Sequence, residues 1–241
     1  MIQGPTNLYK CPFCGKGKPL MSIISGNETG AVVWSDSLHD SPMLPTLSRV
    51  QRCPDCGKYF FIDDITPTVL EDEDWRNFHV SSSETGVLDY VQSLEALSQF
   101  EGQSLAEEQW EWLHMNLLFA YNDWRTRETF ILRKHLRELA NVQGVWAQEW
   151  REHAEKQLAE CAARDVRREE ERFSSNARWI ISHFPKNRLL CAELYREMGE
   201  FAKCIAILDE IGNNNLTLQF RIKAEAGDTE VCRMHLGKPT C

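Results

Sequence analysis

The pattern of apolar and polar positions changes near residue 70. Before it, short apolar runs at residues 20–24 and 31–34 lie between clusters of Gly, Asn, Ser and Pro, a pattern typical of strands joined by turns. We expect residues 25–30 to form a hairpin turn between these two strands. Residues 59–62 are rich in strand-forming aromatic and branched side chains, and they predict a further strand.

From residue 84 onward the apolar positions recur every three or four residues, which is the period of an α-helix. One predicted stripe consists of Trp110, Leu113, Leu117, Tyr121 and Trp124, and another of Trp146, Trp150, Ala154, Leu158 and Cys161. The polar pair Asn122 and Asp123 interrupts the first stripe, so we expect it to end one helix and cap the next.

Helix start and stop signals predict the remaining elements. Ser174 or Ser175 is expected to cap a helix that Pro185 stops, and helices follow at residues 187–198, 201–211 and 216–226. The chain is therefore predicted to have an α+β fold. Its predicted parts are a small β domain at residues 1–70, an acidic linker at 71–83 and a helical domain at 84–241.

Charge and composition narrow the classes of function. The formal net charge of −9 disfavours broad binding to a nucleic-acid backbone or an anionic membrane. No apolar run approaches the ~18 residues of a membrane span, and the N-terminal residues lack the basic and apolar order of a signal peptide. We therefore expect a cytoplasmic protein that does not bind membranes.

Two short cysteine motifs carry the strongest chemical signal. Cys11-Pro12-Phe13-Cys14-Gly15 and Cys53-Pro54-Asp55-Cys56-Gly57 both read C-P-x-C-G. Two such turns are expected to bring four thiolates together around one tetrahedral Zn²⁺. Because four cysteines would fill the coordination sphere, the predicted ligands Cys11, Cys14, Cys53 and Cys56 form a structural site and not a hydrolytic one.

A redox role is the alternative for the first motif. Taken alone, residues 11–14 resemble the active-site tetrapeptide of glutaredoxins, in which the second cysteine continues into a helix. Gly15, Gly17 and Pro19 would break that helix here, and a dithiol enzyme does not explain the second copy. We therefore favour the metal site.

Residues 8–66 resemble the zinc ribbons, or rubredoxin-like zinc folds. The resemblance rests on the two cysteine motifs and on the strand-like residues after the second one, and it implies the four cysteines as ligands and little more. The spacer between the motifs is longer than in the smallest ribbons, so an added hairpin or loop is expected. Trp34, Asp36 and His39 lie in it; they could line a binding surface at its tip, but we favour a strand that ends in a polar turn.

Part of the C-terminal region resembles the tetratricopeptide repeat. The matching positions are Ala192, Tyr195, Gly199, Phe201 and Cys204, where small residues permit close helix packing and the glycine permits a tight turn. The repeat-like region covers about residues 174–227. The resemblance implies that a helical groove binds a protein or peptide, whereas the alternative is an ordinary helical hairpin.

Catalytic signatures are absent from the sequence. No nucleophile elbow, phosphate-binding loop, dinucleotide fingerprint or zinc-protease motif is present, and we expect no enzyme. Two hypotheses remain: a protein-interaction module with a structural zinc, or a nucleic-acid-binding zinc-ribbon regulator. The second rests on basic residues around the cysteines, namely Lys10, Lys16, Lys18, Arg49, Arg52 and Lys58.

Overall fold

The computed structural model describes residues 2–44, 47–70, 88–140, 142–162 and 166–234. The strands come first: β1 (Ile2–Lys10), β2 (Gly17–Ser25), β3 (Val32–Val33), β4 (His39–Asp40), β5 (Val50–Arg52), β6 (Tyr59–Phe61) and β7 (Thr68–Val69). The α-helices follow: α1 (Tyr90–Phe100), α2 (Glu107–Asn122), α3 (Glu128–Leu139), α4 (Val145–Ala162), α5 (Val166–His183), α6 (Arg188–Glu197), α7 (Phe201–Ile211) and α8 (Asn215–Glu225). This layout confirms the predicted α+β class.

Within the described ranges, the strands form three small antiparallel sheets, in the orders β2-β1-β7, β3-β4 and β5-β6. β2 and β3 therefore belong to different sheets, and the predicted hairpin turn at residues 25–30 is wrong. The partner of β2 is β1, with Leu8 opposite Pro19 and Lys10 opposite Gly17. The sequence did not indicate β1 because Gly4 and Pro5 interrupt its pattern, and the pairing register shifts there.

The chain divides into two compact units. Unit 1 contains residues 1–33 and 38–117, and unit 2 contains residues 34–37 and 118–241. The division falls within α2, so α1 and most of α2 group with the strands. The predicted acidic linker, residues 71–83, lies outside the described residues.

Strand β6 has an apolar core on each of its two faces. Phe60 packs with Cys11, Leu20 and Cys53, whereas Tyr59 and Phe61 pack with Leu88, Ala96 and Phe100 in a second cluster. Side chains of a strand alternate between its faces, so three consecutive aromatic residues serve both cores. Unit 1 therefore builds its cysteine region and its helices around one short strand.

Helix α1 is fixed to β6 by two polar side chains one turn apart. The Gln99 amide accepts a hydrogen bond from the Tyr59 backbone N–H at 2.8 Å and donates one to its carbonyl at 2.7 Å. Glu95 accepts a hydrogen bond from the Tyr59 hydroxyl at 2.7 Å. Gln99 thereby satisfies the backbone of an edge strand as a neighbouring strand would.

In unit 2, helix α2 passes into α3 without a break. The π-helical segment Asp123–Arg127 joins them, and Asn122 makes no capping hydrogen bond with its side chain. The predicted helix end and cap at Asn122 and Asp123 is therefore wrong. The two side chains have other partners: the Asn122 amide donates to Asp36 at 2.9 Å, and Asp123 forms an ion pair with Arg127.

Three helices near the C-terminus match the predicted bounds within one residue. Asn187 caps α6 through a hydrogen bond to the Leu190 N–H, and Asn214 caps α8 in a capping box. Gly199, between α6 and α7, has a φ of 75°, which favours glycine. The cap expected at Ser174 or Ser175 is wrong, because α5 runs through both positions from Val166 to His183.

The two predicted apolar stripes are buried to different extents. Leu113, Leu117 and Tyr121 of the first stripe are at most 5% exposed. In the second, Ala154 and Cys161 are buried, but Trp146 and Trp150 are 56% and 58% exposed. At the start of α4, two tryptophans that the helical period predicted to be in the core are therefore exposed.

Unit 2 also buries a charged cluster on α6. Arg196 and Glu193 are fully buried, and their side chains form an ion pair at 2.6 Å. Arg196 also donates hydrogen bonds to the backbone carbonyls of Asp228 and Glu230. This guanidinium therefore holds the segment after α8 against α6 while its charge is balanced by Glu193.

Glu197, one residue further along α6, is also buried. Neither of its carboxyl oxygens has a hydrogen-bond partner among the described residues. Burial raises the pKa of Glu197 well above its ordinary value, and the carboxylates of Glu193 and Asp36 raise it further, against Arg196 and Arg125, which lower it. Glu197 is therefore protonated in the folded protein at pH values at which the unfolded chain has ionised it.

The pH dependence of stability follows from this shift. The folded state binds the proton more tightly than the unfolded state, so stability falls as pH rises above the unfolded pKa of about 4.3. We expect Glu197→Gln to be more stable than the wild type at pH 7.5, because its neutral amide needs no proton uptake on folding. Urea unfolding followed by circular dichroism measures the difference.

The same comparison at low pH supplies the control. At pH 4 the wild-type side chain is protonated in the folded state and mostly protonated in the unfolded state, and the two proteins should differ little. Glu225→Gln, at an exposed position of α8, should leave stability unchanged at both pH values. A Glu197→Gln variant less stable than the wild type at pH 7.5 would contradict the assignment.

No helix in the described part of the chain is both long and apolar enough to cross a membrane.

Candidate metal centre

Each cysteine motif forms the loop of a β-hairpin. The first lies between the end of β1 at Lys10 and the start of β2 at Gly17, and the second lies between the end of β5 at Arg52 and the start of β6 at Tyr59. A C-x-x-C turn at a hairpin end presents both sulfur atoms from one short loop. The two hairpins therefore supply two thiols each.

The backbones of the two loops follow the same hydrogen-bond pattern. The Cys11 N–H donates to the Lys16 carbonyl at 2.8 Å, and the Gly15 N–H donates to the Cys11 carbonyl at 2.9 Å. The second loop has the same two bonds, from Cys53 to Lys58 and from Gly57 to Cys53, with the same lengths. Gly15 and Gly57 have φ values of 72° and 73°, which explains why both motifs end in glycine.

The structure brings the four predicted cysteines together. The sulfur atoms of Cys11, Cys14, Cys53 and Cys56 all lie within 4.8 Å of one another. The Cys11 and Cys56 sulfurs are 3.7 Å apart, and the Cys14 and Cys53 sulfurs are 3.6 Å apart. A tetrahedron with metal–sulfur bonds of about 2.3 Å has edges of nearly 3.8 Å, so the spacing fits one metal ion with four thiolate ligands.

The site is half buried. Cys11 and Cys53, the first cysteine of each motif, are buried at 2% and 1% exposure and pack with Leu20 and Phe60. Cys14 and Cys56, the second of each, are exposed. The site therefore lies at the surface of unit 1, with its inner pair forming part of the core.

Backbone N–H groups and burial act on the thiols in opposite directions. The Lys58 N–H donates to the Cys56 sulfur, and this is the main cause of the lowered pKa of Cys56. Burial raises the pKa of Cys53 to about 12, although the N–H groups of Cys56 and Asp55 act against it. Such N–H donors stabilise thiolates bound to a metal, and a bound cation would displace the thiol protons.

Three basic side chains near the cysteines have partners within unit 1. Lys18 is only 4% exposed and donates to the Arg52 carbonyl at 3.0 Å. Lys58 lies over the Phe13 ring, 4.8 Å from its centroid, and Arg49 pairs with Asp63 at 2.5 Å. These side chains stabilise the hairpins, which leaves fewer cations free to contact phosphates.

Trp34 and Asp36 of the spacer between the motifs do not lie at an exposed tip. Trp34 and Asp36 are 5% and 0% exposed and belong to unit 2. Asp36 accepts a hydrogen bond from Arg127 at 2.7 Å. The expected polar turn exists, because the Ser37 N–H donates to the Trp34 carbonyl. His39 is exposed on β4, is not part of the four-cysteine group, and lies 3.3 Å from the Ser41 hydroxyl.

Sequence reasoning did not identify Arg127. It is buried, and burial, which alone would lower its pKa, is outweighed by the carboxylates of Asp36 and Asp123, so the pKa is raised. The only local signal was its spacing of four residues from Asp123, which is typical of an exposed helical ion pair.

The chain has no significant match among protein-family models, curated proteins or solved structures.

Proposed function

We propose that the protein is a non-enzymatic interaction module whose N-terminal hairpins are held by one structural Zn²⁺. The observation that carries the metal part is the cluster of four sulfur atoms, all within 4.8 Å of one another. Zinc is the metal of choice for this donor set, because thiolates are soft ligands and Zn²⁺ takes four of them without redox chemistry. Four protein ligands leave no position for water or substrate.

The metal would supply folding free energy to a small β region. Among the described residues, the core around the cysteines contains few buried side chains, namely Cys11, Leu20, Cys53, Phe60 and Ile62. Small domains with limited cores commonly depend on a disulfide or a metal. The resemblance to zinc ribbons, carried by both C-P-x-C-G motifs, agrees with this role.

We assign partner binding to unit 2. Trp146 and Trp150 are more than half exposed and lie one turn apart on α4, beside Val145 at 75% exposure. Exposed tryptophans at helical spacing are typical anchors of protein interfaces. The exposed Glu149 and Glu152 flank them, so the expected partner has an apolar groove with a basic rim.

The repeat-like hairpin α6–α7 supports a binding role as well. Ala192 and Cys204 are completely buried, as the small positions of a tetratricopeptide-like pair require. The nucleic-acid alternative has less support, because Lys18 is buried and Arg49 is paired with an acid.

The test of partner binding replaces the two exposed tryptophans. A photo-crosslinking amino acid at Gln148 of the tagged full chain identifies the proteins that contact this face in cells. We expect Trp146→Ser with Trp150→Ser to abolish the crosslink to such a partner. Purified partner should then bind the variant at least about tenfold more weakly, since each interface tryptophan commonly contributes 2 kcal/mol or more.

A matched control uses another exposed apolar pair of unit 2. Leu218 and Ile222 are 49% and 58% exposed and also lie one turn apart, on α8. Leu218→Ser with Ile222→Ser should leave the affinity unchanged. Equal affinity of the wild type and the tryptophan variant would count against the α4 surface.

A further inference from the structure

Unit 2 contains a cavity of about 600 Å³, which is within the range of small-molecule sites. Four apolar side chains form much of its wall: Trp34, Phe130, Leu136 and Val231. The Trp34 ring is 5% exposed and meets Phe130 edge to face, with ring centroids 5.8 Å apart. Because this indole is fixed by packing, the wall is formed before any ligand binds.

Hydrogen bonds between two distant segments hold the wall in place. The Ser35 N–H donates to the Cys232 carbonyl at 2.8 Å, and the Cys232 N–H donates to the Ser35 hydroxyl at 2.9 Å. Trp34 and Arg233 form an antiparallel bridge beside them. Residues 34–35 and residues 232–233, which are far apart in the sequence, therefore meet at one edge of the cavity.

Positive charge dominates the polar lining. Arg133, Arg137 and Arg233 line the cavity and are exposed, and none of them forms an ion pair with an acid in the described part of the chain. Lys223 also lines it but is paired with Asp228 at 2.5 Å, and Glu230 is the one acid among the lining residues. In a chain with a net charge of −9, three guanidinium groups that have no acidic partner among the described residues and surround one cavity indicate an anionic ligand.

We propose that this cavity binds a small organic anion with an apolar body. The body packs on Trp34, Phe130, Leu136 and Val231, while the anionic head meets Arg133 and Arg137, which lie one helical turn apart on α3. This site is independent of the four cysteines and of the tryptophans on α4.

Calorimetric titration of the purified full chain tests the proposal with two matched pairs of probes. Octanoate is compared with octan-1-ol, and 2-naphthoate with 2-naphthol, so each pair differs in the anionic head alone. At low salt we expect at least one carboxylate to bind saturably at one site per chain, at least about tenfold more tightly than its alcohol. Preference for octanoate identifies an aliphatic ligand class, and preference for 2-naphthoate an aromatic one.

Variants locate the binding in this cavity. Arg133→Gln with Arg137→Gln is expected to weaken carboxylate binding at least about tenfold. Lys134→Gln with Lys156→Gln removes two exposed charges outside the cavity lining and should change the affinity less than about twofold.

Three results would each overturn the proposal. They are no saturable binding of either carboxylate, equal affinity for a carboxylate and its alcohol, and an unchanged affinity in the Arg133→Gln, Arg137→Gln variant. Both replaced arginines are exposed, so the variant is expected to remain folded, and its circular dichroism spectrum checks this.

Discussion

Replacing Cys53 by serine is expected to abolish metal binding and to unfold the two hairpins of unit 1. Apparent binding free energies of structural zinc in small domains are about 10–16 kcal/mol, which is comparable to or larger than the whole stability of a typical domain, about 5–15 kcal/mol. Cys53 is also 1% exposed and packs in the core beside Phe60. Its loss would remove a ligand and place a hydroxyl in an apolar cluster.

Two measurements follow this change. Elemental analysis of protein purified under reducing conditions is expected to give one zinc per wild-type chain and none for Cys53→Ser. Hydrogen exchange is expected to accelerate at the backbone amides that pair β1 with β2 and β5 with β6. Treatment of the wild type with a strong chelator should produce the same exchange pattern.

The matched control is a buried cysteine outside the metal group. Cys204→Ala replaces a completely buried thiol at a helix position where the tetratricopeptide-like pattern usually has alanine, and it should retain one zinc per chain. A Cys53→Ser protein that keeps its zinc, or a wild type that contains none and forms a reducible disulfide between Cys11 and Cys14, would contradict the structural metal site.

The second large effect is expected in unit 2, at the ion pair between Asp36 and Arg127. Their side chains are 0% and 3% exposed. Asp36→Ala would leave a guanidinium buried with one carboxylate fewer, and breaking a buried pair from one side commonly costs about 3–5 kcal/mol. We expect a loss of that size in the free energy of unfolding, measured with urea by tryptophan fluorescence.

The exposed pair Arg49 and Asp63 serves as the comparison. Their side chains are 36% and 40% exposed, and Asp63→Ala should cost less than about 1 kcal/mol. The double variant Asp36→Ala, Arg127→Met should lose less than the sum of the two single variants, because it leaves neither charge unpaired. A cost for Asp36→Ala as small as that for Asp63→Ala would refute the buried pair.

Local patterns predicted much of the fold correctly. The four cysteines were identified because C-P-x-C-G determines a turn within five residues, and the structure has the same turn in both cysteine loops. Helices α6, α7 and α8 lie within one residue of the predicted bounds, and in the structure Asn187, Gly199 and Asn214 act on neighbouring backbone groups at their ends. Such signals depend on residues that are close in sequence.

Errors arose where distant contacts overrode a local signal. Asn122 and Asp123 are good capping residues, but Asp36 and Arg127 engage their side chains, so the helix continues through a π-helical segment. Trp146 and Trp150 have core periodicity and yet are exposed. A period shows which residues share a helix face but not whether another element covers that face.

The sequence by itself determined the α+β order of elements, the four clustered cysteines and the bounds of the last three helices, because each depends on short-range geometry or spacing. Only the tertiary structure decided that Asp36 is buried against Arg127, 91 residues away in the chain. It also placed residues 34–37 in unit 2 and assembled the arginine-lined cavity from Trp34, α3 and the segment after α8. The physical reason is that burial and charge pairing depend on which distant surfaces meet. Hydrophobic periodicity carries no information about which other segment of the chain will pack against a given face.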